Sequence, residues 1–276
     1  MGVATTSIPQ AVNTASNAVV NLESRARIGW VGTVALADRR CLETGSVTTR
    51  AMTTSFAGFR FPPEVISVAV RWYLRYGLSY RDVEELLAER GVTVDHVTVY
   101  RWVQRFTPEF IEAARPCRHA PGDRWFVDET YLKVPGRWTY LYRAIDQHGQ
   151  VIDVLLSASC DLAAARRFLT RALRVGIVPA EVTTDRAPVY PRVLGELCPR
   201  PCTPLSGMRN PIEADHGRLK ARLGPMRGLK RHRSARILAA GHAFVQNLRR
   251  GHYDIATESP DCHRLRVALD QLALVM

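Results

Sequence analysis

Three acids are distinguished by the elements that must carry them. The stretch "WFVDETYLKV", Trp125 to Val134, reads as a β-strand, and successive strand side chains point to opposite faces. Asp128 then shares a largely apolar face with Phe126, Thr130, Leu132 and Val134. Glu129 shares the more easily solvated face with Val127, Tyr131 and Lys133. A carboxylate on an apolar face costs several kcal/mol, on the order of burying an unpaired charge, unless something compensates it. Asp185 ends "EVTTD", where a short buried strand meets a loop. Ligand-binding residues collect at such carboxyl ends of strands. Glu213, in "NPIEADHGRLK", opens a helix. No local motif joins these acids, so only a fold can bring them together. Each also has a plainer reading. Asp128 could pair with a buried arginine, Asp185 could cap the next helix, and Glu213 could sit in a first turn for the helix dipole alone.

The elements that must position the acids follow from periodicity. Strands are expected at Arg124–Val134, at Arg137–Ile145 after a Pro135-Gly136 turn, and at Gln150–Ala158, forming an antiparallel meander. A helix near Leu162–Arg174, a short strand Glu181–Asp185 and a helix from about Pro188 to Leu197 come next. A later helix starts near Pro211 and runs past Lys220. A last one, capped by Ser234, runs through Arg250 with Ile237, Leu238, Gly241, Val245 and Leu248 on one face. This order implies an α/β fold, a mixed sheet with flanking helices.

Upstream lies an all-α module. Pro62-Pro63-Glu64 reads as a helix start. Val65, Val68, Trp72 and Tyr76 then make one face, and Gly77 stops the helix. Ser79 with Asp82 forms a capping-box variant, followed by Val83, Leu86 and Leu87. After Gly91, Asp95 caps a third helix with Val99, Trp102, Val103 and Phe106 as its apolar stripe. Helix, short turn, helix is the helix-turn-helix arrangement. Its third helix would enter the major groove with His96, Thr98, Arg101, Gln104 and Arg105 outward. A plain three-helix bundle with a solvated polar face is the alternative.

The net charge of +12 favours a polyanionic partner. Arg218 to Arg236 holds eight Lys/Arg and no acid, which suits salt-dependent phosphate contact through residues such as Arg227, Lys230 and Arg231. A solvated surface is the plainer reading of that run. The six cysteines have no framework spacing, and Cys198-Pro-Arg-Pro-Cys202 lacks a second pair to complete a zinc site. Reduced thiols in a cytosolic protein are expected. No stretch is long and apolar enough to span a membrane, and the start does not read as a secretory signal. Residues 1–57 read as a poorly ordered extension, with Met52 an alternative start to Met1.

Several long motifs now fall in order: "AVRWYLRYGLSYRDVEELLAERGVTVDHVTVYRWVQRF", "RWFVDETYLKVPGRWTYLYRAID", "TTDRAPVY", "IEADHGRLK" and "RGLKRHRSAR". Together they resemble the DDE-type transposases of bacterial insertion sequences, within the short, single-helix-turn-helix group that forms cointegrates. The resemblance spans roughly residues 59–252. The expected order is an extension at 1–57, a helix-turn-helix domain at 58–106, a Pro-containing linker at 107–122, a catalytic domain at 123–252 and a C-terminal tail at 253–276, and the resemblance implies that the catalytic domain is ribonuclease H-like. It assigns Asp128, Asp185 and Glu213 as catalytic residues that bind Mg2+ or Mn2+, and it places Lys220 near DNA. Lys220 lies seven residues after Glu213, two turns on, so both face the same way. Asp215 points elsewhere and is the poorer ligand.

Implied partners are double-stranded DNA, as element ends and as target, and further copies of the chain in a homodimer or larger synaptic complex. The implied location is the bacterial cytoplasm, at the nucleoid. One departure bears on activity. Only 27 residues separate Asp185 from Glu213, about two helical turns fewer than the family's usual spacing, and Pro199, Pro201 and Pro204 stand where the last strand belongs. The alternative function is therefore a truncated, catalytically inactive transposase acting only as a sequence-specific DNA-binding protein.

Overall fold

Local signals place the first helices where periodicity expects them. The computed structural model describes residues 55–184, 189–198, 211–226 and 229–276. Its first three helices are α1 (Pro63–Arg75), α2 (Tyr80–Ala88) and α3 (His96–Ala114). The capping box forms. Asp82 N–H donates to Ser79 Oγ at 3.2 Å, and Ser79 N–H donates to Asp82 Oδ2 at 2.7 Å. Gly91 turns the chain at φ 76°, in the left-handed region that glycine enters without steric penalty. Asp95 accepts from Val97 N–H at 3.1 Å and caps α3. Val99, Trp102, Val103 and Phe106 are all buried as its stripe.

Four local expectations are corrected. The buried face of α1 is Ile66, Ala69, Val70, Tyr73 and Leu74, whereas Tyr76 is 51% exposed. Two apolar stripes lie side by side on this helix, and its neighbours select between them. Helix α3 continues through Pro108 to Ala114, into the segment expected as linker. An interior proline costs ~3 kcal/mol, but Phe110 and Ala114 extend the buried stripe beyond it and offset that cost. The segment expected as a tail contains α8 (Asp261–Val275), and α7 (His232–Arg249) begins two residues before Ser234.

Helices α7 and α8 share one apolar core with α1 and α3, in which Val245, Leu248, Leu269 and Leu272 join Ile66, Val70 and Phe106. Helix α7 passes so close that a Cβ on Gly241 would come within 2.6 Å of Leu74 Cδ2 and 2.9 Å of Thr107 Cγ2.

The strands are β1 (Arg124–Val134), β2 (Arg137–Asp146), β3 (Val151–Ser157) and β4 (Glu181–Thr184). They lie in the order β3-β2-β1-β4, with β1, β2 and β3 antiparallel and β4 parallel to β1. Helices α4 (Leu162–Ala172) and α5 (Val189–Leu197) cover one face through Trp125, Val127, Tyr142, Phe168 and Tyr190. Helix α6 (Pro211–Leu223) and α7 cover the other through Leu132, Leu141, Leu219 and Ala239. An antiparallel meander with a parallel fourth strand beside β1 and helices on both faces is the ribonuclease H-like architecture. Residues 199–210, where the last strand was in question, lie outside the described residues.

Candidate active site

Asp128 sits in the middle of β1 on the face covered by α6 and α7. Its side chain is 20% exposed. Oδ1 accepts from the Glu129 backbone N–H at 2.8 Å, and Oδ2 lies 3.8 Å from Nδ1 of His216 on α6. His216 is nearly buried. Burial first, then the charges of Arg143 and Lys220, lowers its pKa to about 3, so the imidazole is neutral at physiological pH. Its Nε2 is buried without a hydrogen-bond partner among the described residues.

Helix α6 sorts its side chains by angle. At ~100° per residue, Glu213, His216 and Lys220 fall on one flank of the buried stripe and Asp215 and Arg222 on the other. Glu213 is in the first turn and exposed, and Lys220 is in the last turn and exposed. The helix therefore turns toward Asp128 the flank that carries Glu213 and Lys220. Thr184, the end of β4, pairs with Val127, the residue before Asp128. Asp185 comes next in the chain and lies outside the described residues.

Arg143 on β2 is directly across from Asp128 in register. Its guanidinium nevertheless donates to Oδ2 of Asp215, whose Oδ1 accepts from Arg250 Nη2 at 2.6 Å. A buried cation stands opposite, with its principal bond committed to α6. Asp215 is 1% exposed and holds α6 to the sheet. Sequence reasoning set Asp215 aside as a ligand but missed this role, and it missed His216 altogether. The only signal for His216 was its spacing, three residues after Glu213 and four before Lys220.

Carboxylates such as those of Asp128 and Glu213 suit a hard divalent cation better than a soft one. Among the described residues, the cluster whose ligand atoms all lie within 4.8 Å is a different one: Glu84, Asp95 and His96. Its groups already serve the start of α3. His96 N–H donates to Glu84 Oε2 at 3.2 Å, and Asp95 caps the helix.

The outward face of α3 is narrower than expected. Arg101 and Arg105 are exposed and Thr98 is half-buried, but Gln104 is only 8% exposed. Gln104 falls on the flank packed toward Tyr80, so it is removed from the set of groups that could read bases. His96 Nδ1 lies 3.0 Å from Asp95 Oδ1, and Arg105 Nε pairs with Glu109 Oε1 at 2.9 Å. In the basic run, Lys230 and Arg231 are exposed, and Arg227 lies outside the described residues. Arg222 is buried. It donates to the Tyr73 carbonyl, with its guanidinium 4.8 Å from the Tyr73 ring centroid.

A family model described as a DDE domain, of the IS240 transposase group, matches residues 122–252. The transposase of the insertion sequence-like element IS431mec of Staphylococcus aureus is 41% identical over 170 residues, 59% of this chain and 75% of that protein. The same figures hold for the transposase of insertion sequence element IS257 in transposon Tn4003 of Staphylococcus aureus. The chain belongs to the DDE-type transposases of bacterial insertion sequences. Among solved structures, the HTLV-2 integrase catalytic core domain in complex with magnesium is similar at 18% identity with a TM-score of 0.36, over 48% of this chain and 88% of that one. No helix among the described residues is long and apolar enough to cross a membrane.

Proposed function

We propose that the chain cuts DNA at the ends of an insertion sequence and joins the freed 3′ ends to target DNA, with Asp128, Asp185 and Glu213 holding Mg2+ or Mn2+. The observation that carries this reading is the approach of α6 to β1, where the flank bearing Glu213 and Lys220 meets Asp128 through His216 at 3.8 Å. When bound, such ions stabilise the attacking and leaving oxygens of an in-line phosphodiester displacement. The Glu129 N–H fixes the rotation of the Asp128 carboxylate. His216 stays neutral 3.8 Å from Asp128. Lys220, Arg227, Lys230 and Arg231 hold backbone phosphates without reading sequence.

Thr98, Arg101 and Arg105 read the element ends from the major groove. Two ends must be held together for joining, so the working form is a homodimer or larger, acting at the nucleoid in the bacterial cytoplasm. The short span from Asp185 to Glu213 favours one second reading, a chain that binds element ends without cutting them.

A supercoiled plasmid carrying the inverted repeats that flank the gene tests both. The wild-type chain should nick it with Mg2+, and Asp128→Asn should abolish nicking while keeping DNA affinity. Normal cutting by Asp128→Asn removes the site assignment, and binding without nicking under any divalent metal selects the second reading.

A further inference from the structure

The sheet face that carries Glu129 is only partly covered. Near Glu129 it is closed. Tyr142, across from Glu129 in register, packs its ring 5.6 Å from Phe168 of α4, and Glu129 Oε2 accepts from the Tyr190 hydroxyl of α5. Toward the β1–β2 turn the face opens: Tyr140 is half-buried against the edge of this core, and the residues beyond it are exposed. Two cross-strand pairs stand there on one face, Tyr131 opposite Tyr140 and Lys133 opposite Trp138. Tyr131 is 55% exposed and Trp138 is 64% exposed. The tyrosine rings are 5.0 Å apart, and Lys133 Nζ is 6.0 Å from the Trp138 ring centroid.

Large aromatic rings left in water on a rigid strand pair need a partner, because isolated exposed residues are ordinary but a contiguous patch is not. The charge of the patch selects the partner's chemistry. Lys133 is exposed beside the rings, Arg137 is exposed at the hairpin end on the other face, and no acid occurs from Thr130 to Ile145. Aromatic faces interleaved with cations match unpaired nucleobases, whose π-faces stack on the rings while the phosphates meet the cations. Tyr131 lies three residues along β1 from Asp128, ~10 Å at strand rise. Its side chain points to the opposite face of the sheet from Asp128, so a strand would reach it only by passing round the edge or the β1–β2 turn.

We propose that Tyr131 and Trp138, flanked by Tyr140 and Lys133, form a stacking platform for unpaired DNA bases on the sheet face opposite Asp128. This rests on the reading of the chain as a DNA-cutting transposase only for its biological use, since the binding itself can be measured without cleavage. The full chain is titrated with a blunt DNA duplex and with the same duplex bearing a short single-stranded tail. Wild type should bind the tailed duplex more tightly, with quenching of tryptophan emission as bases stack on Trp138.

Trp138→Ala and Tyr131→Ala should each cut the tailed affinity roughly 5- to 100-fold, leaving the blunt affinity and the melting temperature unchanged. Trp138→Phe should retain most of the preference. Equal wild-type binding to both DNAs, or an undiminished tail preference in both alanine variants, overturns the proposal. So does a change of oligomeric state in Trp138→Ala, seen by light scattering, with the preference intact, because the face would then bind a second copy. If the tail preference is present but no metal supports nicking, the catalytic reading fails and the platform stands.

Discussion

Arg143 and Asp215 form an ion pair excluded from solvent, 0% and 1% exposed, that joins the strand facing Asp128 to the helix carrying Glu213. Burial, and then the neighbouring Arg250, pull the pKa of Arg143 down, yet a guanidinium does not deprotonate in proteins and remains charged against its carboxylate. Desolvating two charges offsets most of their attraction, so such a pair adds little net stability while making the loss of either partner costly.

Asp215→Ala should therefore destabilise the fold by about 3–5 kcal/mol, because it strands Arg143 in the interior. The paired change Arg143→Met with Asp215→Leu should recover most of that loss. Urea denaturation of the single and double variants measures both, and a double variant no more stable than Asp215→Ala would contradict this account.

Burial separates Gln104 from Arg101. Arg101→Ala should weaken binding to a cognate end and relax discrimination at one base pair by about 1–3 kcal/mol. Gln104→Ala should leave base preference unchanged and lower only the melting temperature. Competition binding against single-base variants of the inverted repeat distinguishes the two, and a change of base preference in Gln104→Ala would refute the placement of its side chain.

The basic run divides in the same way. Lys230 is exposed, whereas Arg222 is 5% exposed and bonded to the Tyr73 carbonyl. Lys230→Ala should reduce the slope of log affinity against log salt by about 0.9 for the phosphate contact removed. Arg222→Ala should cost about 1.5–3 kcal/mol of stability, as a lost hydrogen bond from a charged donor. Salt titrations and thermal melts on both variants check this; the reverse pattern is incompatible with it.

Acid should destabilise the fold through His242. Its burial, followed by the surrounding guanidinium groups of Arg143, Arg222, Arg250 and Arg218, lowers its pKa to about 3. The unfolded imidazole titrates near ~6.5. Between those values the unfolded chain binds more protons, so stability is complete above about pH 6.5 and falls as the pH drops toward about 3. Urea midpoints from neutral pH downward should decline steadily, and less so in His242→Gln. A wild-type midpoint flat across that range would show that His242 does not resist protonation.

Much of the fold was legible because its signals are local. The Ser79–Asp82 box, the Asp95 cap, the stripe from Val99 to Phe106 and the alternation of β1 and β2 depend on residues a few positions apart, and sequence order presents those directly. The triad candidates were legible differently, through resemblance, since Asp128, Asp185 and Glu213 share no local motif. What the sequence alone determined, then, is which elements form and what chemistry they carry.

Only the tertiary structure decided which faces meet. It chose between the two stripes of α1, carried α3 past Pro108, withdrew Gln104 and Arg222 from the surface, and set His216 beside Asp128. The reason is that burial is a property of pairs of surfaces distant in the chain. A polar side chain on a helix flank carries no local mark of whether water, DNA or another helix will cover it.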